Sequence, residues 1–214
     1  MGYEILMIDH EESGRALISK GFLDEAKLIS EANVKVFAEL ISEELPLVGI
    51  EPSAILSFRD EYPNLVDRGL KEAALNLSKN VLLIDEFIVK EIEKGHLNSK
   101  QFESEKKEII LHGHCHQKAL SSIDITAKML SLAENYSVEI IPSGCCGMAG
   151  SFGYESEHYD LSMKIGEQVL FPKVRNAKEG QLIVAPGTSC RHQIFDGTGR
   201  SALHPIEILF DALI

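Results

Sequence analysis

Short β-rich runs alternate with longer helical stretches along this chain, and that alternation limits its fold more than any other feature. "YEILMI" (3–8), "LPLVGI" (45–50), residues 81–84, "EIIL" (108–111), "YSVEIIPSG" (136–144) and "QLIVAP" (181–186) read as strands. Between them, residues 21–41 carry Phe22, Ala26, Ile29, Val36, Phe37 and Leu40 at steps of three or four, the mark of an amphipathic helix, with Asn33 breaking the stripe. Residues 51–62 read as a turn and short helix, and 70–95 as helix around the strand at 81–84. A helix is expected over 117–133. Another covers 157–171, with Leu161, Ile165, Val169 and Leu170 inward, and a last one, opened by Pro205, covers 205–214. The polar stretch 96–107 is the best linker candidate. Strand–helix alternation predicts an α/β fold with mainly parallel sheets.

The order of elements repeats. Strand 3–8, "EESGR", a long helix, "PLVGI" and "EPSA" in the first half answer strand 138–142, "GCCGM", a long helix, "LIVAP" and "GTSC" in the second. Glu12-Ser13-Gly14 aligns with Cys145-Cys146-Gly147, and Ala54 with Cys190. Two pseudo-repeated α/β lobes are therefore expected, 1–105 without cysteines and 106–214 with them. The strand starting almost at residue 1 is compatible with a piece of a longer chain.

The four cysteines, Cys115, Cys145, Cys146 and Cys190, all lie in the second half at the spacing C-x29-CC-x43-C. Each follows a predicted strand, and open parallel sheets gather ligands outside the carboxyl ends of their strands. The four sulfurs are thus expected at one sheet edge. Thiolates there suit an iron–sulfur cluster or zinc. Gly144, Gly147 and Gly150 let the backbone approach and aim N–H groups at sulfur. Simple packing of buried thiols explains a lone cysteine better than it explains an adjacent pair in a glycine-rich loop.

Arg15, Lys118 and Arg191 are expected to line this pocket and balance thiolate charge. His116 and His192 flank the cysteines, and Gly147 supports the pair. In "HGHCH", a continuing strand would place His112, His114 and His116 on one side and Cys115 on the other, which argues against all three histidines joining the thiols.

Composition narrows the function. Acidic residues outnumber basic ones 33 to 21, a net charge of −12, which disfavours nucleic-acid binding. No apolar run is long enough to span a bilayer, and "MGYEILMIDH" lacks the basic start and apolar core of a signal peptide, so a cytoplasmic protein is expected.

"HGHCHQKAL", "SGCCGMAGSFGYESEHYDLSMKIGE" and "APGTSCRHQI" resemble the cysteine-rich CCG domain. That domain occurs in heterodisulfide reductases, in iron–sulfur subunits of the glycolate oxidase type, and in the C-terminal region of large FAD-linked oxidases resembling D-lactate dehydrogenases, which look closest. The resemblance covers nearly the whole chain. It implies an electron-transfer domain of an FAD-linked 2-hydroxy-acid oxidoreductase, with a 4Fe–4S cluster on Cys115, Cys145, Cys146 and Cys190, and FAD and ferredoxin-like domains or subunits as partners. Glu12, Ser13 and Ala54 stand where the first repeat of relatives has cysteines, and Gly187 and Gln193 leave Cys190 without a paired thiol. The family's five-cysteine cluster would lack one ligand here. Two other readings stay open: a structural zinc domain, and a metal-free thiol enzyme with Cys145 or Cys146 as nucleophile beside His116 or His192.

Overall fold

The computed structural model describes all 214 residues, and their contacts divide them into two compact units, Met1–Leu83 and Ile84–Ile214. Every pair of strands runs parallel, as the α/β alternation predicts.

The first unit runs α1 (Arg15–Lys20), α2 (Leu23–Phe37), β1 (Leu47–Gly49), α3 (Pro52–Ile55), α4 (Tyr62–Leu65), α5 (Lys71–Ser78) and β2 (Val81–Leu83). β1 and β2 pair with each other, Leu47 opposite Val81 and Gly49 opposite Leu83. The run 3–8 is not a strand: Ile5 and Met7 are 78% and 89% exposed. A strand exists through its ladder, and these residues have no strand to pair with, so apolar composition alone does not order them.

Asn33 does not break the apolar face of α2. It is buried with Ala26, Val34 and Phe37, and its amide nitrogen donates to the Glu12 carbonyl (2.9 Å) and the Tyr62 hydroxyl (3.0 Å). A polar group can sit inside when its donors are used. Phe22 and Leu40, expected on that face, are exposed because the helix begins after one and ends before the other.

The second unit runs α6 (Ile84–Glu93), β3 (Lys107–Leu111), α7 (Cys115–Leu120), α8 (Ile123–Leu130), β4 (Tyr136–Ile140), α9 (Tyr159–Glu167), α10 (Leu170–Arg175), β5 (Leu182–Val184), α11 (Thr188–Thr198) and α12 (Pro205–Asp211). Its sheet has the order β4-β3-β5, with β3 in the middle. Leu111 is level with Ile140 on one side and Val184 on the other. Side chains alternate across the pleat. Ile109 and Leu111 enter a layer with Ile88, Met129, Leu130 and Ile208, while Ile110 enters the opposite layer with Ile141, Phe171 and Ile194. Helices therefore cover both faces, as a buried parallel sheet requires. Each fully buried aliphatic side chain contributes about 1.5–3 kcal/mol.

Three sequence expectations change here. Residues 96–107 are no linker: Leu97 and Phe102 are buried in the second unit's core, and the Glu103 N–H donates to the Ala212 carbonyl at 2.8 Å. The helix over 117–133 is two helices, because Ser122 caps α8 by accepting from the Asp124 N–H. The helix over 157–171 is also two. In α9 Leu161 is exposed, and the small Ser162 and Gly166 face inward. A Cβ on Gly166 would stand 2.3 Å from the Phe171 ring, so the larger inward pattern cannot be accommodated.

Candidate metal centre

The four cysteines lie just beyond the carboxyl ends of three adjacent parallel strands. The last ladder bonds bring the chain out together: His112 N–H donates to the Val184 carbonyl (2.9 Å), and Ile141 N–H to the Leu111 carbonyl (2.8 Å). After β3 the chain turns at once into α7. His114 caps that helix by accepting the His116 N–H on Nδ1 (3.2 Å), and Cys115 is its first residue. Cys145 and Cys146 occupy the loop after β4, and Cys190 sits in the first turn of α11 after β5. This edge is where open parallel sheets bind ligands.

The sulfurs form a continuous hydrogen-bonded row, Cys115 to Cys145, Cys145 to Cys146, and Cys146 to Cys190. All four are free thiols, Cys115 exposed and Cys146 and Cys190 buried. Cys145 is pulled well below the usual thiol range, first by the hydrogen bonds from Cys115 and Cys146 and then by the N–H groups of Gly147 and Ala149, against burial. Cys190 is pulled down by Cys146, with His112 adding. Cys115 and Cys146 are pushed up in turn by those same sulfur contacts and by burial. Adjacent sulfurs cannot all ionise unless a positive centre stands among them.

The loop backbone is shaped for anionic sulfur. Gly147 N–H donates to Cys145 Sγ at 3.2 Å, the Ala149 N–H reaches the same sulfur, and the Met148 N–H reaches Cys146. Successive amides aimed at one point form an anion-binding concavity. Ala149 adopts φ 41°, unusual for a residue with a side chain, and Gly147 adopts φ 110°. A Cβ on Gly147 would also meet the Ser162 carbonyl oxygen at 2.2 Å. Gln193 closes the floor beneath, donating to Ser162 Oγ (2.9 Å).

The histidine alternation expected from "HGHCH" fails because β3 stops at Leu111. His112 is buried, with its Nδ1 2.7 Å from Ser143 Oγ. Its Nε2 has no nitrogen or oxygen partner, and a ring nitrogen lies within 4.8 Å of the Cys146 and Cys190 sulfurs, with the ring hydrogen-bonded to Cys190. Sequence reasoning considers His112 only as one of three flanking histidines and does not point to Ser143 or Ala149 as site residues. The "HGHCH" run is the only signal for the first, and the helical turn at His114 reverses what that run suggests.

The other expected neighbours divide. Lys118 donates to the carbonyls of Ser143 (2.6 Å) and Gly144 (3.1 Å), so its stem anchors the cysteine loop. Burial lowers its ammonium's pKa, and the nearby sulfurs oppose that shift. Arg191 donates to the Ala185 and Pro186 carbonyls at 3.0 and 2.8 Å, tying α11 to the end of β5. His192 meets the Tyr154 hydroxyl at 2.9 Å. His116 supplies its backbone N–H to Cys115. Arg15 belongs to the first unit, where it pairs with Glu61.

This donor set fits a thiophilic metal group. Four sulfurs, their amide donors and an orphaned buried imidazole nitrogen share one sheet edge.

No protein-family model matches the chain. Over its full length it is 27% identical to D-2-hydroxyglutarate dehydrogenase of Pantoea ananatis, covering 20% of that protein. It is 26% identical to one subunit of the anaerobic glycerol-3-phosphate dehydrogenase of Escherichia coli, covering 52% of that subunit. D-2-hydroxyglutarate dehydrogenase of Pseudomonas putida is 26% identical over 98% of the chain. The chain thus spans between a fifth and about half of the curated relatives it matches, all dehydrogenases or a subunit of one. No solved structure matches it.

Proposed function

We propose that this chain is a CCG-type iron–sulfur redox module of an FAD-linked 2-hydroxy-acid oxidoreductase. The observation that carries the proposal is the hydrogen-bonded row of four sulfurs beyond β3, β4 and β5, lined by backbone N–H donors. In this reading Cys115, Cys145, Cys146 and Cys190 hold a 4Fe–4S cluster, with FAD on another domain or subunit. Such a cluster supplies one-electron transfer between the flavin and a further acceptor. The similarity to dehydrogenases supports a redox setting. In the same reading the two halves, 1–105 and 106–214, are duplicated repeats of which the second alone keeps its thiols.

The chain's own residues hold the sulfurs and compensate their charge. Gly147, Met148 and Ala149 aim N–H groups at thiolates, and Lys118 fixes the loop that carries them. Cys115, the exposed thiol, marks the side on which the centre meets solvent or a partner. In this reading His116, Arg191 and His192 are supporting residues of the centre.

A zinc centre is the second reading, favoured by the buried group His112, Cys146 and Cys190. Anaerobic iron, sulfide and zinc quantification separates the two. Iron and acid-labile sulfide bound by wild type after reconstitution, and lost in Cys146→Ser, are the expected result. Stoichiometric zinc without sulfide points to the second reading. A chain that takes neither, and whose reactivity is abolished by alkylating Cys145, overturns both in favour of a thiol enzyme.

A further inference from the structure

His112 is the one buried ring whose open nitrogen faces the sulfurs. Its Nδ1 stands 2.7 Å from Ser143 Oγ. With the ring proton on Nδ1 and donated to that hydroxyl, the lone pair falls on Nε2. Nε2 has no nitrogen or oxygen partner, and a ring nitrogen of His112 lies with Cys146 Sγ and Cys190 Sγ within 4.8 Å of one another, close enough for the ring to hydrogen-bond to Cys190. An imidazole fixed by a bond at one nitrogen and bare at the other is how metal-binding histidines are usually held.

Position 187 leaves no room for a further side chain beside Cys190. A side chain there would place its Cβ 2.4 Å from the His114 ring and 3.2 Å from Cys190 Sγ. The space from which a further thiol could reach the centre is therefore filled by imidazole. His114 itself has its Nδ1 occupied, accepting the His116 N–H.

We propose that His112 Nε2 is a metal ligand beside Cys146 and Cys190, so that the centre is a mixed sulfur–nitrogen site with Ser143 fixing the imidazole. This rests on the metal reading above. Beside the four thiolates the neutral imidazole adds a ligand without adding negative charge, so a thiolate in its place would move the centre's reduction potential downward.

The test uses the full chain reconstituted anaerobically with iron and sulfide, read by pulsed electron paramagnetic resonance of the paramagnetic cluster. A ¹⁴N coupling of directly bound imidazole is expected in wild type. It should vanish in His112→Asn and persist in His114→Asn, and His112→Cys should shift the midpoint potential downward. Absence of the coupling in wild type overturns the proposal without reference to any variant's folding, and so does its survival in His112→Asn. If wild type loads no iron and sulfide, the iron–sulfur reading fails separately, and cobalt(II) alone becomes the probe. Loss of the wild-type cobalt visible spectrum's nitrogen-donor signature in His112→Asn then supports the ligand. A spectrum identical in both proteins, or no cobalt bound by wild type, overturns it.

Discussion

The chain turns a left-handed glycine corner in each unit, at Gly14 (φ 65°) and at Gly147 (φ 110°). The residues before them, Glu12-Ser13 and Cys145-Cys146, differ in the atom they offer, and the surroundings follow that difference. At the first corner the neighbours close over the backbone carbonyls. The Tyr62 hydroxyl donates to the Ser13 carbonyl at 3.0 Å, Asn33 donates to Glu12, and Arg15 pairs with Glu61. Phe58 packs on Tyr62 with ring centroids 4.2 Å apart and closes the cluster. At the second corner the amides point at sulfur, and a buried imidazole nitrogen is left open. A turn of one kind can therefore finish a fold or frame a site, depending on whether neighbours close over its carbonyls or its amides are aimed at sulfur.

Exchanging the chemistry of the two corners should give the largest effect. Cys146→Ser is expected to abolish metal loading, and Ser13→Ala to leave it unchanged, by metal and sulfide analysis after anaerobic reconstitution. Equal loss in both would break the contrast between the corners.

Backbone strain separates them next. Gly147→Ala is expected to cost about 3 kcal/mol, since its Cβ meets the Ser162 carbonyl oxygen at 2.2 Å on top of the positive φ. Gly14→Ala should cost about 1 kcal/mol, because its nearest neighbour is a side-chain carbon of Ile29 at 3.4 Å. Hydrogen exchange of the metal-free protein assigns each loss to its unit.

The aromatic wall of the first corner gives a smaller, pH-dependent effect. Burial pushes the Tyr62 phenol up to about 12, with the Asn33 hydrogen bond opposing. A phenol whose folded pKa exceeds its unfolded value of about 10 stabilises fully below pH ~10 and loses that contribution as pH rises through the folded value. Urea midpoints of wild type should fall between pH ~10 and ~12, by up to about 2.7 kcal/mol from this group. Tyr62→Phe should remove that part of the fall and cost about 1 kcal/mol at neutral pH through its lost hydrogen bonds. An unchanged alkaline slope in the variant would assign the fall to other groups.

The smallest effect belongs to the Arg15–Glu61 pair, whose side chains are 27% and 22% exposed. Glu61→Gln should cost about 0.5 kcal/mol at low salt and less at high salt. A salt-independent cost would mean that packing, not charge, holds that corner.

Much of the fold was legible because its signals are local. Strands 47–49, 81–83, 107–111, 136–140 and 182–184 all fall on the expected runs, with ends up to four residues shorter than expected, and each thiol follows its expected strand. The errors come from non-local partners. The run 3–8 looks like a strand but has no ladder, Asn33 looks like a flaw but donates its amide to Glu12 and Tyr62, and Leu97 and Phe102 look like linker but join a core. Leu161 looks inward but is exposed, since Phe171 demands glycine at 166.

By itself the sequence determined that this is an α/β chain whose second half carries four thiols at the ends of parallel strands. Side-chain period and cysteine spacing are properties of neighbours along the chain, so they can be read without coordinates. The tertiary structure decided that the sulfurs form one row and that His112 joins them, with Ser143 on its far nitrogen. Those facts depend on where β3 stops and on how three strand ends align, and strand pairing fixes both across long separations in sequence.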